Sequence, residues 1–90
     1  MSKIRILLAD DHVILRQGTR QLLENESDME VVGEASNGAE AVELVEKFKP
    51  DIVIIDVAMP VMNGIEATKK IKEILPGIKI RWLRQENKKH

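Results

Sequence analysis

Ninety residues suffice for one small domain, and with 43% hydrophobic residues but only Phe48 and Trp82 as aromatics its core has to be aliphatic. The absence of cysteine excludes disulfides, thiolate metal sites and a cysteine nucleophile, and suits a reducing cytoplasm. A net charge of −1 conceals 6 basic and 13 acidic residues over Met1–Thr68 against 8 basic and 2 acidic over Lys69–His90.

The first apolar run, Ile4 to Ala9, predicts a strand that stops at Asp10-Asp11. It is too short for a signal-peptide core, and no span is long enough to cross a membrane, so a cytoplasmic protein without a membrane partner is expected. Val13, Ile14, Leu15, Gly18, Leu22 and Leu23 then recur at helical spacing and predict an amphipathic helix ending near Glu26. Met29 to Ala35 is a short strand. Asn37 precedes Glu40 by three in a capping-box pattern, and Ala41, Leu44, Val45 and Phe48 follow on one helical face until Pro50. Ile52 to Ile55 is a β-branched run suited to burial on both faces of a parallel sheet, and it ends at Asp56. Asn63 and Glu66 repeat the capping pattern before a third helix carrying Ile65, Thr68, Ile71 and Leu75. Pro76-Gly77 turns into a last strand, where Ile78, Ile80 and Trp82 alternate with Lys79 and Arg81, the pattern of a strand covered on one face.

This alternation of strands and helices predicts right-handed crossovers and a parallel sheet with helices on both faces. Ligands of such sheets bind beyond the carboxyl ends of the strands. If the first and third strands are neighbours, Asp10, Asp11 and Asp56 converge there. Like charges so close raise one another's pKa unless a cation neutralises them, and an oxygen-only cluster suits Mg²⁺. Taken singly, each Asp is an ordinary cap or strand-end residue; the joint pattern is the signal. His12 is expected as a helix-start residue beside the carboxylates, and Met59, Met62 and Trp82 as packing residues. The basic end lacks a helix-turn-helix pattern or interleaved aromatics and is expected to be surface charge.

The stretches ILLADDHVILRQGTRQLL, VVGEASNGAEAVEL and PDIVIIDVAMPVMNGIEATKKI resemble the receiver domain of two-component response regulators, in the branch whose receivers precede NarL- or FixJ-like DNA-binding domains. The resemblance covers nearly all of Lys3 to Ile80. It implies a flavodoxin-like α/β fold, shortened here to about four strands and three helices, with strand order 2-1-3-4. It implies that Asp56 accepts a phosphoryl group from a histidine kinase. It also implies that Mg²⁺ is held by Asp10, Asp11, Asp56 and the backbone carbonyl of Ala58. No organic cofactor and no enzymatic turnover are implied: an aspartyl-nucleophile hydrolase needs a second Asp two residues after the nucleophile, where this chain has Ala58. A flavin phosphate would be repelled by Asp10-Asp11.

The chain departs from the family after the fourth strand. Counting from Ile78, Arg84 stands where the family carries Thr or Ser, and no strand-end lysine, fifth strand or last helix follows. The expectation is a partial receiver over residues 1–84 with a polar basic tail at 85–90, impaired in switching. A sheet edge and a face left bare predict self-association, so a homo-oligomer is expected, with DNA engaged only through an output domain that is missing. The alternative is a non-signalling assembly module derived from a receiver.

Overall fold

The computed structural model describes residues 2–83; the tail at 85–90 and Arg84 lie outside the described residues. Four parallel strands, β1 (Ile4–Ala9), β2 (Met29–Ala35), β3 (Ile52–Asp56) and β4 (Lys79–Leu83), pair in the order β2-β1-β3-β4. Three helices connect them: α1 (Val13–Glu24), α2 (Gly38–Phe48) and α3 (Gly64–Ile74). This is the flavodoxin-like arrangement, and the β-α alternation and the Met29–Ala35 strand fall where periodicity places them. The first helix stops at Glu24, two residues short of its expected end.

Alternation along the central strands divides the interior in two. Leu7 and Ala9 of β1 and Val53 and Ile55 of β3 are fully buried with Ala41 and Val45 of α2, Ala67 and Ile71 of α3, and Ile78. Ile6 and Leu8 are equally buried on the opposite side. Each buried Val, Leu or Ile among them contributes ~1.5–3 kcal/mol by leaving water, so the sheet centre carries most of the stability. The β1–β2 register steps over Val32, since Ile6 pairs with Val31 and Leu7 with Gly33. This bulge increases the local twist at the edge formed by β2.

Both predicted capping boxes form their first half. The Asn37 side chain accepts the Glu40 amide at 2.8 Å and the Asn63 side chain accepts the Glu66 amide at 2.9 Å. Glu40 reaches one residue further back than the motif requires, accepting from the Ser36 amide at 2.8 Å. Lys49 closes α2 in a left-handed conformation with φ 47°, which lets the chain leave the helix immediately before Pro50.

The predicted stripe of α1 is only partly used. No residue of this helix is buried, and Ile14 and Leu22 are 81% and 71% exposed. The helix leans on β1 and β2, while among the described residues no element covers its outer apolar side. Ile65 of α3 is also exposed, the inward positions there being Ala67 and Ile71. In β4, Ile80 packs against the core and Lys79 and Arg81 are outward or partly so, as alternation predicts, but Trp82 is 44% exposed. No helix among the described residues is long and apolar enough to cross a membrane.

Candidate metal centre

Strand pairing assembles the acidic cluster. Ala9 of β1 pairs with Ile55 of β3, so the residues that follow, Asp10 and Asp56, emerge side by side at the carboxyl end of the sheet. Donor atoms of Asp10, Asp11, His12 and Asp56 all lie within 4.8 Å of one another. The three carboxylates expected to converge do so, and the imidazole of His12 joins them.

Asp10 and Asp56 are buried, whereas Asp11 and His12 are exposed at the mouth. Asp10 Oδ1 accepts from the His12 backbone amide at 3.0 Å and lies 2.8 Å from His12 Nδ1. Asp56 Oδ1 accepts from the Ala58 amide at 3.3 Å. The second oxygens, Asp10 Oδ2 and Asp56 Oδ2, are buried with no hydrogen-bond partner. A buried carboxylate oxygen left unpaired is costly, and two of them facing one cluster of negative charge are more so.

Burial raises the Asp56 pKa above its ordinary value; the Ala58 amide opposes this, and the Asp10 charge adds to it. The His12 pKa is raised as well, first by its hydrogen bond to Asp10 and then by the Asp11 charge. The buried, unpartnered oxygens of Asp10 and Asp56 beside Asp11 leave negative charge that no protein cation neutralises among the described residues. A hard divalent cation with oxygen ligands is the group that offsets it, and Mg²⁺, which uses few carboxylates and keeps several waters, fits these residues.

The surroundings hold the cluster from three sides. Arg16 of α1 donates from Nη1 to the Asp10 carbonyl and from Nε to Glu34 Oε1 at 2.9 Å, and Arg20 bonds the other oxygen of Glu34. Burial alone would raise the Glu34 pKa, but the hydrogen bonds from Arg16 and Arg20 outweigh it and hold that pKa below its ordinary value. The Asp10 amide donates to the Ala35 carbonyl at 3.0 Å, which ties the acidic turn to β2. On the Asp56 side, the Gly64 amide donates to the Val57 carbonyl at 2.8 Å. A Cβ at position 64 would lie 2.3 Å from the Asp56 carbonyl oxygen, so only glycine allows α3 to begin this close.

A crevice of about 610 Å³ opens over the cluster, lined by Asp11, His12, Asp56, Val57, Ala58, Trp82 and Leu83. Met59 is buried in the core and Met62 packs against it, as expected. Trp82 is not a packing residue but a wall of this crevice. His12 stands at the start of α1 beside the carboxylates, as expected; the member of the site that sequence reasoning missed is Trp82. Nothing in the β4 pattern suggested it, because alternation assigns Trp82 to the covered face.

The family profile for the response regulator receiver domain matches residues 6–90. The transcriptional regulatory protein DegU of Brevibacillus brevis is 42% identical over 79 residues, covering 88% of this chain and 34% of its own length. A protein-glutamate methylesterase/protein-glutamine glutaminase of Methanococcus maripaludis is 45% identical over 76 residues, covering 84% of this chain and 21% of its own. Among solved structures, a two-component response regulator of the LuxR family from Aurantimonas superposes with a TM-score of 0.85 at 41% identity, covering 90% of this chain and 58% of that one. The chain thus spans about a third or less of the length of these curated relatives.

Proposed function

The chain belongs to the response regulator receiver domain family, and from that premise we propose that Asp56 is its phosphoacceptor, served by a histidine kinase in a two-component phosphorelay. The observation that carries the reading is the pair of buried, unpartnered carboxylate oxygens, Asp10 Oδ2 and Asp56 Oδ2, at the end of neighbouring strands.

Each residue has a role in that chemistry. Asp56 is the nucleophile: a carboxylate oxygen forms a bond to phosphorus as the phosphorus–nitrogen bond of the donor phosphohistidine breaks, and imidazole leaves. The Ala58 amide on Oδ1 orients the Asp56 carboxylate. Asp11 and Asp56 would hold Mg²⁺, with Asp10 at the floor of the site and the Ala58 carbonyl as a further ligand. When bound, the ion offsets negative charge on the transferring phosphoryl group. The chain turns over no substrate of its own in this reading. Arg84, outside the described residues, offers no hydroxyl where the family carries one, so coupling of phosphorylation to conformation is expected to be weak. Partners are the kinase and, through an output domain, DNA; a cytoplasmic location follows from the same reading.

The test is incubation of the chain with acetyl phosphate and MgCl₂, read by intact mass. A single phosphoryl adduct, absent in Asp56→Asn and without MgCl₂, supports the proposal; no adduct, or one that survives Asp56→Asn, overturns it.

A second reading, self-association as a non-signalling module, is favoured by the exposed apolar side of α1 at Ile14 and Leu22. A monomer by light scattering across a concentration series would remove it.

A further inference from the structure

The crevice over Asp56 has two unlike sides. Asp11 and Asp56 supply an acidic one, and Val57, Ala58, Trp82 and Leu83 an apolar one. Strand register sets the apolar side, because Trp82 pairs with Ile55, the residue before Asp56, and Leu83 pairs with Asp56 itself. Val57 is 43% exposed and Trp82 44%. The indole thus keeps a large part of its surface out of the core, at a position where alternation along β4 would bury it.

What meets this wall follows from the direction of phosphoryl transfer. In an in-line displacement the leaving group lies on the far side of phosphorus from the attacking Asp56 oxygen, so it stands out in the crevice and away from the carboxylates. A volume of about 610 Å³ is ample for a planar ring there.

We propose that Trp82 is a specificity-determining residue for the phosphoryl donor: its indole stacks on the ring of an N-phosphorylated imidazole and makes the chain favour such donors over acyl phosphates. This rests on the reading that Asp56 is the phosphoacceptor. In the step itself an Asp56 carboxylate oxygen bonds to phosphorus, and the phosphorus–nitrogen bond breaks with its electron pair going to nitrogen. The ring enters protonated on its other nitrogen and leaves as neutral imidazole. While bound it is both cationic and aromatic, so an indole attracts its charge and stacks on its π surface, and an acetyl group offers neither. At low donor concentration, tighter binding of this kind raises the rate of labelling.

The experiment measures phosphoryl transfer to Asp56 by intact mass, at low concentrations of phosphoimidazole and, separately, acetyl phosphate with equal MgCl₂. It uses the full chain, Trp82→Phe and Trp82→Leu, with circular dichroism to verify that all three are folded. The readout is the ratio of the two rates on each chain, since damage to the fold or to the acidic pocket lowers both. The phosphoimidazole to acetyl phosphate ratio should fall about three- to tenfold in Trp82→Leu, the range of one aromatic pair, and be largely kept by Trp82→Phe. An unchanged ratio in Trp82→Leu, or loss of labelling by both donors there, would overturn the role of Trp82 and leave Asp56 standing as phosphoacceptor. Absence of labelling of the parent chain by either donor would overturn both.

Discussion

Gly38 and Met62 are joined by one backbone hydrogen bond of 2.9 Å, the first amide of α2 donating to the carbonyl of the loop before α3. A Cβ at position 38 would lie 2.1 Å from that oxygen, and one at position 64 would lie 2.3 Å from the Asp56 carbonyl oxygen. Neither contact can be relieved by a side-chain rotation. Gly38→Ala and Gly64→Ala should each cost about 1–3 kcal/mol or more in urea denaturation, as overpacking does. On the proposed Mg²⁺ site, Gly64→Ala should in addition weaken Mg²⁺ binding, because it displaces the backbone of Asp56; Gly38→Ala should do so less.

Asp56 is held at a raised pKa by burial and by Asp10. Its folded form keeps a proton more readily than its unfolded form, so in the absence of divalent ions stability falls as pH rises from the ordinary 3.8 through the folded pKa. Asp56→Asn should therefore stabilise the metal-free chain at neutral pH by about 1–2 kcal/mol, the scale of an unpaired buried polar group. In calorimetry this is a rise of about 4–8 °C in Tm per kcal/mol. Saturating MgCl₂ should erase the advantage.

Glu34 has the opposite sign. Burial pushes its pKa up, but bonds from Arg16 and Arg20 overcome that and hold it low. Its contribution is complete above the ordinary 4.5 and disappears as pH falls through the folded value. Glu34→Gln should cost about 1.5–3 kcal/mol at pH 7, as for bonds to a charged partner, and this difference should vanish in acid. It should also loosen Mg²⁺ binding, since Arg16 bonds both Glu34 and the Asp10 carbonyl.

Trp82, the chain's one tryptophan, lines the crevice above Asp56. Its fluorescence should change on adding MgCl₂ and again with beryllofluoride, and both responses should be absent in Asp56→Asn. An emission spectrum unmoved by both ligands would separate the ring from the site.

Val61 holds φ 69° in the loop between β3 and α3. A β-branched residue is strained there, and no burial compensates, because Val61 is exposed. Val61→Asn or Val61→Gly should raise stability by about 1 kcal/mol, read as a higher urea midpoint at unchanged slope.

The sheet and the carboxylates were legible because each depends on a local pattern. The β-branched run Ile52 to Ile55 reads as a parallel strand, although Ile52 and Ile54 are only half-buried, and such a strand delivers Asp56 to one known end of the sheet. The caps at Asn37 and Asn63 were legible for the same reason, a side chain meeting an amide three residues on. What stayed hidden depends on neighbours far along the chain. The ring of His12 turns toward Asp56, 44 positions away, and no spacing in the sequence says so. Trp82 is set by the open mouth of the crevice beside β4, which alternation cannot see. The helical stripe Ile14, Leu15 and Leu22 was read correctly as amphipathic, but amphipathicity does not state how much of a stripe finds a partner.

Helix α1 buries no residue completely and is fastened largely by Arg16 and Arg20 at Glu34. Such an element opens at a smaller free energy than the sheet centre, and its amides exchange with solvent sooner. Its first turn also carries the site: Arg16 grips the Asp10 carbonyl and His12 stands at the cap. Any ion that binds only the closed arrangement must then protect α1 from exchange, by an amount fixed by its concentration and affinity. Occupancy of the acidic pocket is thus written into the opening equilibrium of a twelve-residue helix, so the local breathing of the fold becomes a gauge of what the pocket holds.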